Sequence, residues 1–145
     1  MTSSYQVEIT GWGLRIRVQG AMTIAQRDAV ARQIEVQCAN LANRGEAWSS
    51  LIEFDNFEAD GFRPDIIVAL MRLARRCGHQ RSAVVMTDWP LASVMAEAMI
   101  AAGTDDQVRI FVQPDGRVDD GITGLDSAMA WVLHGGVVPM VSKAA

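Results

Sequence analysis

Histidine and cysteine are scarce in this chain, two of each among 145 residues. Cys77-Gly78-His79 places two soft ligands together, but Cys38 and His134 stand far off in sequence and no ligand-pair spacing recurs. That pattern argues against a zinc site. Nucleophilic catalysis needs a base beside a serine or cysteine, and both histidines fall at the ends of predicted helices. Gly116, Gly121 and Gly124 fit neither G-x-G-x-x-G nor a P-loop, and no Gly-Lys-Ser/Thr occurs. An EF-hand loop starting at Asp115 would need an oxygen ligand at Arg117 and a glycine at Asp120; it has neither, and Asp115 to Gly121 reads as an acidic turn. Asp105-Asp106 and Asp119-Asp120 also fall in turns, where carboxylates are solvated. The expectation is a non-enzymatic protein with no catalytic residue, no metal and no cofactor.

Positive charge and long apolar runs are also in short supply. Thirteen Lys and Arg stand against seventeen Asp and Glu, a net charge of -4, which argues against a surface that tracks nucleic-acid phosphates. The longest unbroken apolar run, Ile66 to Met71, is far too short to span a bilayer. The start, Met1-Thr2-Ser3-Ser4-Tyr5, lacks the basic end and apolar stretch of a signal peptide. Cys38 and Cys77 fall at apolar helix positions, as reduced, buried thiols do. A cytoplasmic location is expected, with no membrane span. Half the residues are apolar and 21% charged, a globular composition.

Tyr5, Val7 and Ile9 alternate with polar residues, Gly11-Trp12-Gly13 breaks the run, and Leu14, Ile16 and Val18 alternate again. This reads as a β-hairpin with one buried face, its arginines Arg15 and Arg17 turned to water or to a neighbour. Thr23 and Gln26 form a capping-box pattern ahead of a helix with Val30, Ile34, Cys38 and Leu41 on one side, closed by Asn43-Arg44-Gly45. Leu51 to Phe54 reads as a strand covered on both faces. A second helix runs from about Pro64, at a first turn where no N–H is needed, to Gly78. Arg72, Arg75, Arg76 and His79 gather at its negative end. Ala83 to Met86 makes a short strand, Asp88-Trp89-Pro90 opens a third helix closed by Gly103, Val108 to Val112 a last strand, and Ala128 to Leu133 a final helix. The expected fold is α/β, a mixed five-stranded sheet with four helices in the order ββαβαβαβα, as a single domain over residues 1–135 with a C-terminal tail at 136–145.

Four places in this order resemble the STAS-type fold, and more closely its SpoIIAA-like branch. They are the hairpin ending in Gly20 before Met22-Thr23, the acidic turn Phe54-Asp55-Asn56-Phe57-Glu58, the segment Ala83-Val84-Val85-Met86-Thr87-Asp88-Trp89, and Val108-Arg109-Ile110-Phe111 answered by Ala128 to Val132. The resemblance implies a regulatory, protein-binding module without catalysis. In that superfamily the anti-sigma-factor antagonists bind a partner kinase and are switched by phosphorylation of a Ser or Thr between the central strand and the second helix, while others sit on anion transporters or in sensory complexes. Here that junction, Asn56 to Asp65, has no hydroxyl, and Ser49 and Ser50 lie upstream in or before the strand.

The expected partner-binding surface is this junction with the second helix: Asn56, Phe57, Asp60, Phe62, Arg63, Asp65, Arg72 and Arg76. Exposed aromatics beside a helix anchor interfaces, the alternative for Phe57 and Phe62 being a place in the core; the arginines suit an acidic partner, the alternative being complementation of the helix dipole. The partner is an unidentified protein, with a homodimer through the hairpin and tail as a further possibility and no nucleic acid, since no aromatics interleave the arginines. The alternative is a carrier or sensor for a small apolar or anionic ligand, motivated by eight methionines, several on helix faces.

Overall fold

The structure, a computed structural model, describes residues 4–55, 63–86, 89–112 and 124–135. Its elements run β1 (Ser4–Ile9), β2 (Gly13–Gln19), α1 (Ile24–Ala42), β3 (Trp48–Asp55), α2 (Pro64–Arg76), β4 (His79–Met86), α3 (Trp89–Ala102), β5 (Val108–Val112) and α4 (Gly124–His134). The strands lie in sequence order across one sheet. β1 and β2 pair antiparallel as the expected hairpin; β2 to β5 are parallel. Among the described residues the fold is therefore α/β, with a mixed five-stranded sheet and four helices.

Local chemistry explains the joints. Thr23 accepts from the Gln26 backbone while the Gln26 side chain accepts from the Thr23 N–H, closing the capping box that starts α1. Gly13 holds a φ of +151°, and a Cβ there would collide with the Ser49 carbonyl. Only glycine lets β2 pass this close to β3.

Each parallel pair needs a right-handed crossover, and strands laid down in one direction send successive crossover helices to the same side. α1, α2 and α3 accordingly share a core with Leu14, Ile16, Phe54, Val84 and Met86 on one sheet face. α4 follows the last strand, is bound by no crossover, and lies on the opposite face against Leu51 and Ala83. Trp131 pins it there: its Nε1 donates to the Ser82 carbonyl at 2.9 Å and reaches the Gln107 carbonyl at 3.3 Å, with the Arg109 guanidinium 4.3 Å over its ring. On the same reverse face, Arg15 and Arg17 of β2 clamp Glu53 of β3 at 2.7 and 3.3 Å. Those arginines meet a carboxylate of their own sheet.

Some boundaries differ from expectation. β3 begins at Trp48, three residues earlier, because Trp48, Ser49 and Ser50 are buried and paired rather than leading in. α2 stops at Arg76, and β4 begins at His79 instead of Ala83. Asn56, Phe57, Asp60 and Phe62, the acidic loop from Asp115 to Gly121, and the tail at 136–145 lie outside the described residues. Among the described residues, no helix is long and apolar enough to cross a membrane.

Candidate functional site

α2 is the most sharply two-sided helix of the fold, with Ile66, Ile67, Leu70, Met71 and Ala74 along one side. Such a stripe ordinarily seals against a sheet. Here no residue of α2 is fully buried. Between its apolar side and the sheet lies a cavity of about 150 Å³. Leu14, Ile16 and Ile52 of the sheet form its floor, Val30, Ile34 and Cys38 of α1 one wall, and the α2 stripe the other. Native interiors pack with few voids larger than a water molecule, so this gap is a feature to be explained.

The cavity runs the length of α2. Arg27 of α1 and Arg63, which precedes α2, line it where the two helices begin, at the carboxyl edge of the parallel strands. The Arg63 guanidinium donates to the Asp65 carboxylate at 3.1 and 3.3 Å, holding that exposed carboxyl below the usual carboxylate range.

Toward the amino edge of the strands the wall turns polar. Ser50 Oγ lies 2.9 Å from His79 Nε2 and 2.7 Å from Ser82 Oγ, and all three residues line the cavity. Ser50 and Ser82 pair across β3 and β4, so their side chains share a face. His79, three residues before Ser82, would point the other way in a regular strand. A bulge corrects it: Trp48 pairs His79 but Ser49 pairs Arg81, leaving Gln80 as an extra residue on β4. That insertion turns His79 onto the cavity side and sends Gln80 to the reverse face, where its Nε2 donates to Ser49 Oγ at 3.3 Å. The His79 ring packs against Trp48, centroids 4.8 Å apart and planes tilted by 59°. Trp48 Nε1 in turn donates to the Cys77 carbonyl at 2.8 Å.

Burial fixes the charge of this group. The His79 imidazole is driven down to about 4, because the apolar surroundings penalise the imidazolium, against a smaller opposing hydrogen bond to the Arg81 backbone. The ring is neutral near pH 7. The Cys38 thiol on the α1 wall is pushed up to about 12, chiefly by burial, and stays protonated. Ser50 and His79 stand at the separation of a nucleophile and its base. A ring titrating near 4 is a weak base, however, and among the described residues no carboxylate supports it. The trio is better suited to holding a hydrogen bond than to moving a proton.

The residues expected at a partner surface disperse. Arg72 Nη2 donates to the Ala101 carbonyl at 3.0 Å and Arg75 Nη1 to the Gly103 carbonyl at 2.7 Å, so both serve the end of α3. Arg76 is exposed on α2, and Arg63 and Asp65 pair with each other at its start. Arg81 leaves the cluster altogether and reaches the Val132 carbonyl of α4 at 3.3 Å. His79, expected to complement the dipole of α2, is instead a mostly buried strand residue in the cavity wall. Among the described residues no group of three or more His, Cys, Asp or Glu is placed to hold a metal ion.

The Ser50–His79–Ser82 trio is not visible to motif reasoning, since its members lie 29 and 3 residues apart in two strands. One signal was present: Ser49-Ser50 and Ser82 put small hydroxyls directly beside the apolar runs Leu51-Ile52 and Ala83 to Met86. Compared with known proteins, the chain matches neither a protein-family model nor a curated protein.

Proposed function

We propose that this chain is a ligand-binding module, a carrier or sensor, whose cavity beneath α2 takes a small, predominantly apolar molecule. The observation that carries this reading is the 150 Å³ gap between an intact apolar helix face and an apolar sheet. Concave, mostly apolar pockets with a few convergent polar groups are the usual form of small-molecule sites. Filling the gap would supply α2 with the contacts it lacks. A thermal-shift series with toluene, p-cresol, octanol and octanoate tests the reading: a ligand at 100 times its Kd raises stability by about 2.7 kcal/mol. No response to any of them at saturating concentration would overturn it.

The STAS-like, SpoIIAA-like resemblance supports a regulatory use of the same element. On this second reading α2 presents Arg76, with Arg63 and Asp65 at its start, to a protein partner. The supporting observation is that no residue of α2 is fully buried while Arg76 is exposed on it. Occupancy of the cavity would then change the surface that the partner meets. Arg76→Glu should weaken capture of that partner without changing ligand affinity; a variant that captures every co-purifying protein as well as wild type removes the surface from consideration.

A further inference from the structure

The inner wall of the cavity restricts what it accepts. We infer that its ligand is a neutral, single-ring molecule bearing one hydroxyl, a phenol-like compound, whose oxygen joins the Ser50–His79–Ser82 trio while its apolar body fills the space between α2 and the sheet. This deepens the reading of the cavity as a ligand site and rests on it.

Three observations lead there. The first is size: an apolar cavity of about 150 Å³ suits benzene, and the volume here is about 150 Å³. A single ring fits. The second is hydrogen-bonding capacity. A serine hydroxyl offers one donor and two acceptor sites, and the trio is joined by only two contacts, at 2.9 and 2.7 Å. Ser82 is 3% exposed, and among the described residues its hydroxyl meets only Ser50. It therefore keeps hydrogen-bonding capacity away from bulk water. The third is charge. Ser50 and Ser82 are uncharged and His79 is kept neutral by burial, so this wall neither balances an anion nor repels one usefully. An ionised head-group placed there would be desolvated without a partner, whereas a hydroxyl can both give and receive. The Trp48 ring beside His79 adds an aromatic surface at the same end, suited to a ring edge or face.

The alternative anchor is the pair of arginines at the other end. It would favour a carboxylate, and the experiment separates the two. Binding of toluene, p-cresol and 4-methylbenzoate to the intact chain is measured by NMR titration, for wild type, Ser82→Ala and Ser49→Ala. Ser49 lies on the reverse face and serves as control. The expected result is p-cresol bound about tenfold more tightly than toluene, the ratio falling several-fold in Ser82→Ala and unchanged in Ser49→Ala, since a hydrogen bond in a buried site is worth about one factor of ten. Toluene binding by Ser82→Ala shows that the variant is folded; where it is not, Ser50→Ala takes its place. A p-cresol preference that is absent, or that survives Ser82→Ala intact, overturns the inference and leaves the cavity as a plain apolar site. Tighter binding of 4-methylbenzoate than p-cresol overturns it in favour of the arginines. Binding of none of the three overturns the ligand-site reading itself.

Discussion

Arg75 donates to the carbonyl of Gly103 at 2.7 Å, tying the last turn of α2 to the glycine that closes α3. Arg72 repeats the contact one turn earlier, at the Ala101 carbonyl. The carboxyl-terminal half of α2 is thereby anchored, whereas at its start Arg63 bonds Asp65 of the same segment. Arg75→Ala should cost about 1 kcal/mol and speed amide hydrogen exchange in the last turn of α2 and the end of α3 together. Exchange that rises in α2 alone would contradict the tie.

His79 predicts a specific acid sensitivity. An unfolded histidine titrates near 6.5, and the folded one near 4, so between those values the unfolded chain binds more protons. Stability must fall as the pH drops through that window, by on the order of 3 kcal/mol in total, and the term is absent above it. Denaturant titrations of wild type and His79→Asn from pH 7.5 to 4 isolate it, because carboxylate titrations common to both cancel in the difference. A difference that stays flat below 6.5 would sink the assignment of a buried neutral ring.

Filling the cavity should exchange function for stability. Ala74 faces it from α2 and is partly buried. Ala74→Leu adds three carbons at about 0.8 kcal/mol each when buried, less the strain of fitting. A rise in Tm of about 3 °C with loss of toluene binding is expected. A fall in Tm with binding retained would mean that the space is not available to that side chain.

The close approach at Gly13 admits no side chain. Gly13→Ala forces a Cβ into the Ser49 carbonyl at a φ of +151°. A loss of about 3 kcal/mol or failure to fold is expected, read by urea titration. Gly45 also has a positive φ, of +72°, but its Cβ would meet nothing within 4 Å. Gly45→Ala should cost only about 1 kcal/mol.

Cys38 and Cys77 should differ as reagents see them. Cys38 is fully buried and its thiol is held up at about 12, while Cys77 is partly exposed. A thiol-specific reagent at pH 8 should label Cys77 first and Cys38 only on unfolding. Equal native rates would show that α1 opens on the time scale of labelling.

Much of the fold was legible because its signals are local. The capping box at Thr23 and Gln26, the alternation of Leu14, Ile16 and Val18, and the glycine that ends α3 each depend on neighbours within a few residues. The site was not. Ser50 and His79 meet across two strands, and the bulge at Gln80 hides β4 from a period-of-two reading by breaking its alternation. His79-Gln80-Arg81-Ser82 consequently looks like a helix end and a turn. The cluster of arginines misled for a related reason. Spacing placed Arg72 and Arg75 on one helix side but could not show that the end of α3 lies there to accept their hydrogen bonds.

Among the described residues α4 is the helix on the reverse face, and it follows every strand, so the two sides of the sheet are completed at different points along the sequence. Every strand and helix that walls the cavity precedes α4 in the chain. The face under α1, α2 and α3 is built from elements up to β5, whereas Leu51 and Ala83 depend on the cover that Trp131 brings. A chain cut after Val112 would lack the cover of Leu51 and Ala83, and an apolar patch of that kind invites mispairing.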